Sequence, residues 1–375
     1  MKAKRIGVIG GGQLAWMMAG AAEALGLELV IQTPYSTDPA VAVAADTLLA
    51  PIDDAAATAK LAESCDIITF ENEFINLGAL MPLAEQGICF RPRLEALAPL
   101  LDKYRQRCYL KDIGLPQPEF RTLEGEIEKG KFELPLVLKA RRHGYDGQGT
   151  FIVKDNSSLE KTWQKFKQKS ILLEEFIPFE RELAVIAARS LTGEVVVYPV
   201  VETQQEEQVC RRVFVPAEIE SGVVAKCEAI ARTLLNSLQA VGVFGIELFL
   251  TPTGKVLVNE VSPRTHNSGH FSLDACETSQ FEMHLRAVAG LPLGNPALKS
   301  GSAVMVNLLG YEYSQDDYLE KRQQLASLPR TFVHWYGKTE SRPGRKLGHV
   351  TVLSDSQSTS GSQAIAQKIE SLWSG

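Results

Sequence analysis

Two short apolar runs, each interrupted by an acid, constrain this chain more than any other feature. Gly245-Ile246-Glu247-Leu248-Phe249-Leu250 is followed by Thr251-Pro252-Thr253-Gly254 and then by a run that closes Val258-Asn259-Glu260-Val261. Short apolar runs separated by Pro and Gly read as a β-hairpin. With a four-residue loop, Leu250 faces Lys255, Glu247 faces Val258, and Glu260 lies on the same face one diagonal step away. Diagonal neighbours sit roughly 7–8 Å apart, close enough for two carboxylates to grip magnesium between them. The plain alternative is one structural salt bridge per carboxylate, and a five-residue loop would break the parity. Past Glu260 the chain continues Pro263-Arg264-Thr265-His266-Asn267-Ser268-Gly269-His270. Unpartnered buried polar groups cost about 1–3 kcal/mol each, so a strand that runs into such a cluster is building a site.

The 375 residues suffice for two or three domains with a sizeable core. A net charge of −6 gives no reason to expect a nucleic-acid surface. No apolar run approaches the roughly 18–20 residues of a membrane span, and the N-terminus does not read as a signal peptide. The six cysteines are scattered without a CxxC pair, which indicates neither disulfide framework nor zinc site and suits a reducing cytoplasm.

Strands at residues 5–10, 27–32 and 66–70, with a helix from the glycine turn to Leu25, predict a parallel α/β sheet. Gly10-x-Gly12-x-x-Ala15 fits a dinucleotide fingerprint. The second strand, however, ends in Gln32 where a ribose-binding acid belongs, which weakens the NAD(P) reading. Backbone N–H groups at such a helix start can still hold the phosphate of a mononucleotide. Asp102 reads as an N-cap and Gly114 as a helix stop, and Leu115-Pro116 marks the best domain boundary.

Residues 134–141 read as a strand carrying Lys139, and 150–154 as its return. Between them, glycines at 144, 147 and 149 form a hairpin without a P-loop signature. Such a hairpin is either a plain exposed turn or a lid whose amides fold over polyphosphate beside the Lys139 charge. A strand at 171–177 is stopped by Pro178, leaving edge backbone able to read an adenine ring. Further strands are expected at 181–189, 194–202 and 243–250, and a long helix at 222–240. After residue 301 a separate small unit is expected. Its Arg342-Pro343-Gly344-Arg345-Lys346 run is an anion-binding loop or a solvated basic turn.

The order of these parts resembles an ATP-grasp ligase. More specifically, five segments resemble the N5-carboxyaminoimidazole ribonucleotide synthetase family: Gly11-Gly12-Gln13-Leu14, Thr69-Phe70-Glu71-Asn72-Glu73, Gly144-Tyr145-Asp146-Gly147-x-Gly149, Asn259-Glu260 through His270, and His334-x-Tyr336-Gly337-Lys338 with Arg342 through His349. The likeness spans nearly the whole chain. It implies an ATP-grasp fold: a Rossmann-like domain over 1–115, an ATP-grasp domain over 116–300 (lid 116–178, larger lobe 179–300), and a small β-rich domain over 301–375.

The resemblance also implies an activity: ATP- and bicarbonate-dependent carboxylation of 5-aminoimidazole ribonucleotide through carboxyphosphate, with Mg²⁺ or Mn²⁺, in a cytoplasmic homodimer. The family's ATP contacts fall on Lys103, Lys139, the lid residues Gly144, Tyr145, Asp146, Gly147, Gln148, Gly149 and Thr150, the linker Glu174, Glu175, Phe176 and Ile177, and Glu182 and Asn259. Its metal positions fall on Glu247 and Glu260. Its bicarbonate chemistry falls on Arg264, His266, Asn267 and Ser268, where a guanidinium suits a planar anion. Ribotide binding falls on Gly12, Gln13, Leu14, Glu73, Tyr145, Lys338, Arg345 and Lys346. Two positions depart from the family pattern: Ala15-Trp16 replaces Gly-Arg after the turn, and Gln205 stands where relatives carry a histidine. A formate-dependent glycinamide ribonucleotide transformylase, an NAD(P) oxidoreductase and a non-catalytic nucleotide-binding module are the competing readings.

Overall fold

The buried runs near the N-terminus pair as β1 (Lys4–Ile9), β2 (Leu27–Thr33), β3 (Asp46–Leu49) and β4 (Ile67–Phe70). In the computed structural model, which describes residues 4–123, 134–142, 149–166, 171–356 and 358–375, they form a parallel sheet in the order β3-β2-β1-β4. β3 was not expected: it is a four-residue edge strand, half exposed, without the buried run that marks its neighbours. The helix Gln13–Ala24 ends where Gly26 takes φ +64°, as the sequence predicts.

The second sheet holds β5 (Phe120–Leu123), β6 (Leu136–Ala140), β7 (Thr150–Val153) and β8 (Ile171–Glu175), antiparallel in the order β5-β8-β6-β7. Leu136, Leu138, Val153, Ile171 and Leu173 pack beneath Leu159 of the helix Asn156–Lys165.

The third sheet is antiparallel throughout. It comprises β9 (Arg181–Arg189), β10 (Val195–Val197), β11 (Val201–Glu206), β12 (Val209–Val215), β13 (Gly242–Leu250), β14 (Val256–Ser262), β15 (Ser302–Leu309), β16 (Thr331–Trp335) and β17 (Lys346–Ser354). The order is β14-β13-β9-β11-β12-β15-β17-β16, with β10 added on β9. The strand expected over 194–202 is therefore two. They pair with opposite ends of β9, and the step at Pro199, which lacks an N–H for the ladder, separates them. The strands after residue 301 keep a core of their own around Val306, Leu347 and Trp373, yet they continue this sheet through β12–β15 pairing.

The faces of β9 and β13 segregate. Leu183, Val185, Ala187, Phe244, Ile246 and Leu248 point to the helix Ser221–Leu238, whose buried Val223, Cys227, Ile230, Ala231, Leu234 and Leu238 recur at helical spacing. Glu182 and Glu247 carry the opposite parity.

Candidate active site

The β13–β14 turn is one residue longer than the sequence reading supposed. Leu250 pairs with Val256, so residues 251–255 make the turn, with Gly254 at φ +71°. That length alone would send Glu260 to the wrong face. A β-bulge between Glu247 and Leu248 on one strand and Val258 and Glu260 on the other restores it, so Glu247 and Glu260 face each other directly. The bulge also turns Asn259 to the same side, where its Nδ2 reaches Glu247 Oε2 at 3.4 Å.

Every described residue proposed above for the site, save Gly149, lines one cavity of about 1460 Å³. Gly149, at φ +90°, closes the β6–β7 end by accepting the Ala140 N–H at 2.7 Å. Gly144, Tyr145, Asp146, Gly147 and Gln148 lie outside the described residues. Thr150 of β7 and Glu175 at the end of β8 border the cavity, as do Phe176 and Ile177 beyond it. β8 stops at Glu175, short of the expected 177, and lies between β5 and β6, not at the sheet edge.

Two lysines bring charge to the hairpin. Lys103, behind the Asp102 N-cap, places Nζ 2.5 Å from Glu260 Oε2. Lys139 on β6 donates to Asn259 Oδ1 at 3.0 Å and pairs with Glu174 Oε2 at 2.8 Å. Burial works against the Lys103 charge, but Glu260 outweighs it and raises its pKa. Burial lowers the Lys139 pKa despite Glu174. Burial and the facing Glu260 push Glu247 upward, and burial with Glu247 pushes Glu182 to about 7. Paired carboxylates with an amide oxygen beside them are the hard donor set that Mg²⁺ or Mn²⁺ takes.

The adenine contact inferred for Glu174 is one of backbone, and its side chain serves another purpose. Its carboxylate meets Arg107 Nε at 2.5 Å, and both side chains are about 2–3% exposed. Arg107 also donates to the carbonyls of Val258 and Asn259, each at 2.7 Å, which ties the second sheet to the bulge. Sequence reading missed Arg107. Its only signal was helical spacing, four residues after Lys103 on one face.

The 264–270 segment folds back over β13. A Cβ on Gly245 would lie 2.4 Å from His266 Cβ, so only glycine admits that approach. His266 Nδ1 meets Ser268 Oγ at 2.8 Å, and its Nε2 stands 3.5 Å from Glu247. Arg264 Nε pairs with Glu73 at 3.0 Å across from the first sheet. Asn267 is committed elsewhere: it exchanges two amide hydrogen bonds, 2.9 and 2.8 Å, with Asn307 of β15.

At the other end Lys338 donates to Gln13 Oε1 at 3.0 Å and to the Lys346 carbonyl at 2.6 Å. Arg345 turns toward the Glu340 carbonyl at 2.8 Å. Trp16, one of the departures, packs edge-on against Tyr336 with ring centres 6.4 Å apart. The anion position of the glycine turn is filled from within: Glu71 accepts the Leu14 N–H at 3.3 Å and crowds Gly10 and Gly12. A dinucleotide pyrophosphate would have to displace that carboxylate.

Asp274, His334 and His349 also cluster: the two rings stack at 4.6 Å with planes 15° apart, His334 Nε2 meets Asp274 Oδ2 at 2.9 Å, and His349 Nδ1 meets the Tyr336 hydroxyl at 2.8 Å.

Fold and site together define an ATP-grasp protein: the ATP-grasp domain family matches residues 108–281. The ribonucleotide synthetase preATP-grasp domain matches residues 3–99, and the phosphoribosylaminoimidazole carboxylase C-terminal domain matches 303–363. The chain belongs to the N5-carboxyaminoimidazole ribonucleotide synthase family. It is 54% identical to the member from Synechococcus elongatus, over 99% of this chain and 95% of that one. The member from Synechocystis is 52% identical over 99% and 98%. Among solved structures, the ADP complex of an N5-carboxyaminoimidazole ribonucleotide synthetase superposes with TM-score 0.91 at 33% identity, covering 100% and 99% of the two chains. The Aspergillus clavatus enzyme, in complex with ADP and 5-aminoimidazole ribonucleotide, gives 0.90 at 28% over 99% and 98%.

Proposed function

We propose that this chain is an ATP-dependent ligase that carboxylates the exocyclic amine of 5-aminoimidazole ribonucleotide, giving N5-carboxyaminoimidazole ribonucleotide in purine biosynthesis. The observation that carries the reading is the convergence of Glu247, Glu260, Lys103, Lys139, Arg264 and His266 on one cavity. Bicarbonate is the carbon source. Its oxygen attacks the γ-phosphorus of ATP, and ADP leaves with the electron pair of the broken P–O bond. The amine nitrogen then attacks the carboxyl carbon of carboxyphosphate, phosphate departs, and the nitrogen loses a proton.

Lys103 and Lys139 hold the phosphates, while Glu175, Phe176, Ile177 and Glu182 border the nucleoside end. Glu247 and Glu260, with Asn259 beside them, would hold Mg²⁺ or Mn²⁺, which supplies charge neutralisation to the phosphate oxygens. Arg264, His266 and Ser268 face the transferred group, and Asn267 positions them through Asn307. Glu73, Gln13, Lys338 and Lys346 hold the ribotide, and Arg345 joins them by releasing Glu340. Catalysis then rests on positioning and charge, with little covalent chemistry from the protein. The chain functions as a cytoplasmic homodimer; among the described residues no helix is long and apolar enough to cross a membrane. Its working units divide near 115 and 300.

Initial rates test this directly. ADP and phosphate should form only when bicarbonate and 5-aminoimidazole ribonucleotide are both supplied with Mg-ATP. Full turnover with formate and glycinamide ribonucleotide instead would overturn it.

A further inference from the structure

His266 is held by a residue that no motif singles out. Gln280 opens the helix Gln280–Ala289 and is completely buried. Its amide clasps the main chain of His266 at both ends: Oε1 accepts the His266 N–H at 3.0 Å and Nε2 donates to the His266 carbonyl at 2.8 Å. A backbone N–H only donates and a carbonyl only accepts, so the amide has one possible orientation. The second Nε2 hydrogen faces His270 Nδ1 at 3.1 Å. That nitrogen must accept, which leaves the ring proton of His270 on Nε2. Gly269 makes the room, since a Cβ there would lie 2.6 Å from Gln280 Oε1. The Gln280 N–H donates to Ser272 Oγ at 2.9 Å, and that hydroxyl donates to the Gly269 carbonyl at 2.6 Å. One side chain and one amide therefore fix the segment from residue 266 to 272.

The helix that presents Gln280 is itself tied to both walls of the cavity. His284 Nδ1 accepts the Val243 N–H of β13 at 3.1 Å. Its Nε2 therefore carries the proton and donates to Thr69 Oγ1 of β4 at 2.9 Å. Phe281, Leu285 and Val288 pack with Met17 and Met18 of the helix Gln13–Ala24. The strand bearing Glu247, the strand leading to Glu73 and the loop bearing His266 are thus aligned against one short helix.

We propose that Gln280 is a positioning residue for the carboxylation: by clamping the His266 main chain it aims the imidazole at the end of the cavity where phosphoryl transfer meets the carbon donor. This rests on the role given to His266 above. Misplacing a reacting group by about 1 Å costs on the order of 10²-fold in rate. A loosened loop also admits water to carboxyphosphate, so ADP forms without carboxylated product.

Gln280→Met keeps the volume and removes every side-chain hydrogen bond, whereas Gln280→Glu keeps an acceptor for the His266 N–H. ADP and N5-carboxylated product are measured in the same reactions, with circular dichroism and thermal melts to confirm folding. For Gln280→Met we expect kcat for product to fall about 10–100-fold with KM for ATP within about twofold. The ratio of product to ADP should drop below that of the unsubstituted protein, and Gln280→Glu should fall between the two. A purely structural role would lower the melting temperature and the active fraction but leave that ratio intact, and this result overturns the proposal. If Gln280→Met does not fold, the ratio in Gln280→Glu decides in the same way. His266→Ala separates the two readings: unaltered turnover there removes the role of His266, while its loss together with an unaltered ratio in the Gln280 variants removes only the clamp.

Discussion

Glu174 and Glu247 share a cavity and meet opposite fates. Burial raises both, but Arg107 and Lys139 overcome it at Glu174 and hold its carboxyl at about 2. Glu247 faces another acid across the bulge, and its pKa is pushed up. On the Glu174 side two cations meet one acid and both come from the chain, which describes scaffolding. On the hairpin side Lys103 answers Glu260, but Glu182 and Glu247 are both pushed up, so the acids there outnumber the cations that meet them, as the metal-binding role proposed for the hairpin requires. Burial alone would have grouped these acids together; the count of opposing charges separates them.

The contrast can be broken most forcefully at Arg107. Arg107→Met should cost about 3–5 kcal/mol of stability in denaturant titrations, since it removes one of the two cations on a buried carboxylate and the donor to the Val258 and Asn259 carbonyls. A loss below about 1 kcal/mol would mean that Glu174 is no keystone. Glu260→Gln should do the reverse, reducing turnover by about 10²–10³-fold while the melting temperature holds. Turnover within about threefold of normal would take the metal pair apart.

Lys346→Ala should raise KM for the ribotide about tenfold, the worth of one charge-assisted hydrogen bond, and leave KM for ATP nearly unchanged. Equal effects on both would make Lys346 structural. The smallest effect lies in pH. Glu182 has a folded pKa of about 7 against an ordinary 4.5, so its contribution to stability is present below 4.5 and lost as pH rises toward 7. Glu174 runs the other way: its contribution is complete above 4.5 and lost as pH falls toward 2. Without nucleotide, Glu182→Gln should therefore melt a few degrees higher at pH 8 and no higher at pH 4.5. An equal gain at both pH values would mean the effect is not electrostatic.

Much of this arrangement was legible in the sequence because it is local. β9 was read with its observed ends, since nine residues bounded by arginines alternate between two covered faces. The Asp102 cap and the Gly26 stop announce themselves through side-chain and backbone chemistry within one turn of helix. The hairpin shows where such reading fails. The five-residue turn breaks the inferred parity and the bulge at Asn259 repairs it, and neither leaves an unambiguous mark on residue types. β12 went unread because Arg211 and Arg212 interrupt it, although Arg212 is satisfied by Glu370 at 2.6 Å, 158 residues away. Arg107, Gln280 and Asn307 were missed for that same reason: each looks like an ordinary polar residue until its distant partner is known. The family resemblance supplied the roles; it could not supply these partners.

The continuity of the nine-stranded sheet has a mechanical consequence. The hairpin at one end and the Lys338–Lys346 grip at the other hang from a single plate of ladder hydrogen bonds, so their spacing is as rigid as the plate itself. Adjusting to a ligand then falls to side chains and to the separate four-stranded sheet that carries Lys139. On the proposed function, a nucleotide and a ribotide bound together would be held at a separation set by strand count, much as a vice is set before the work is placed in it.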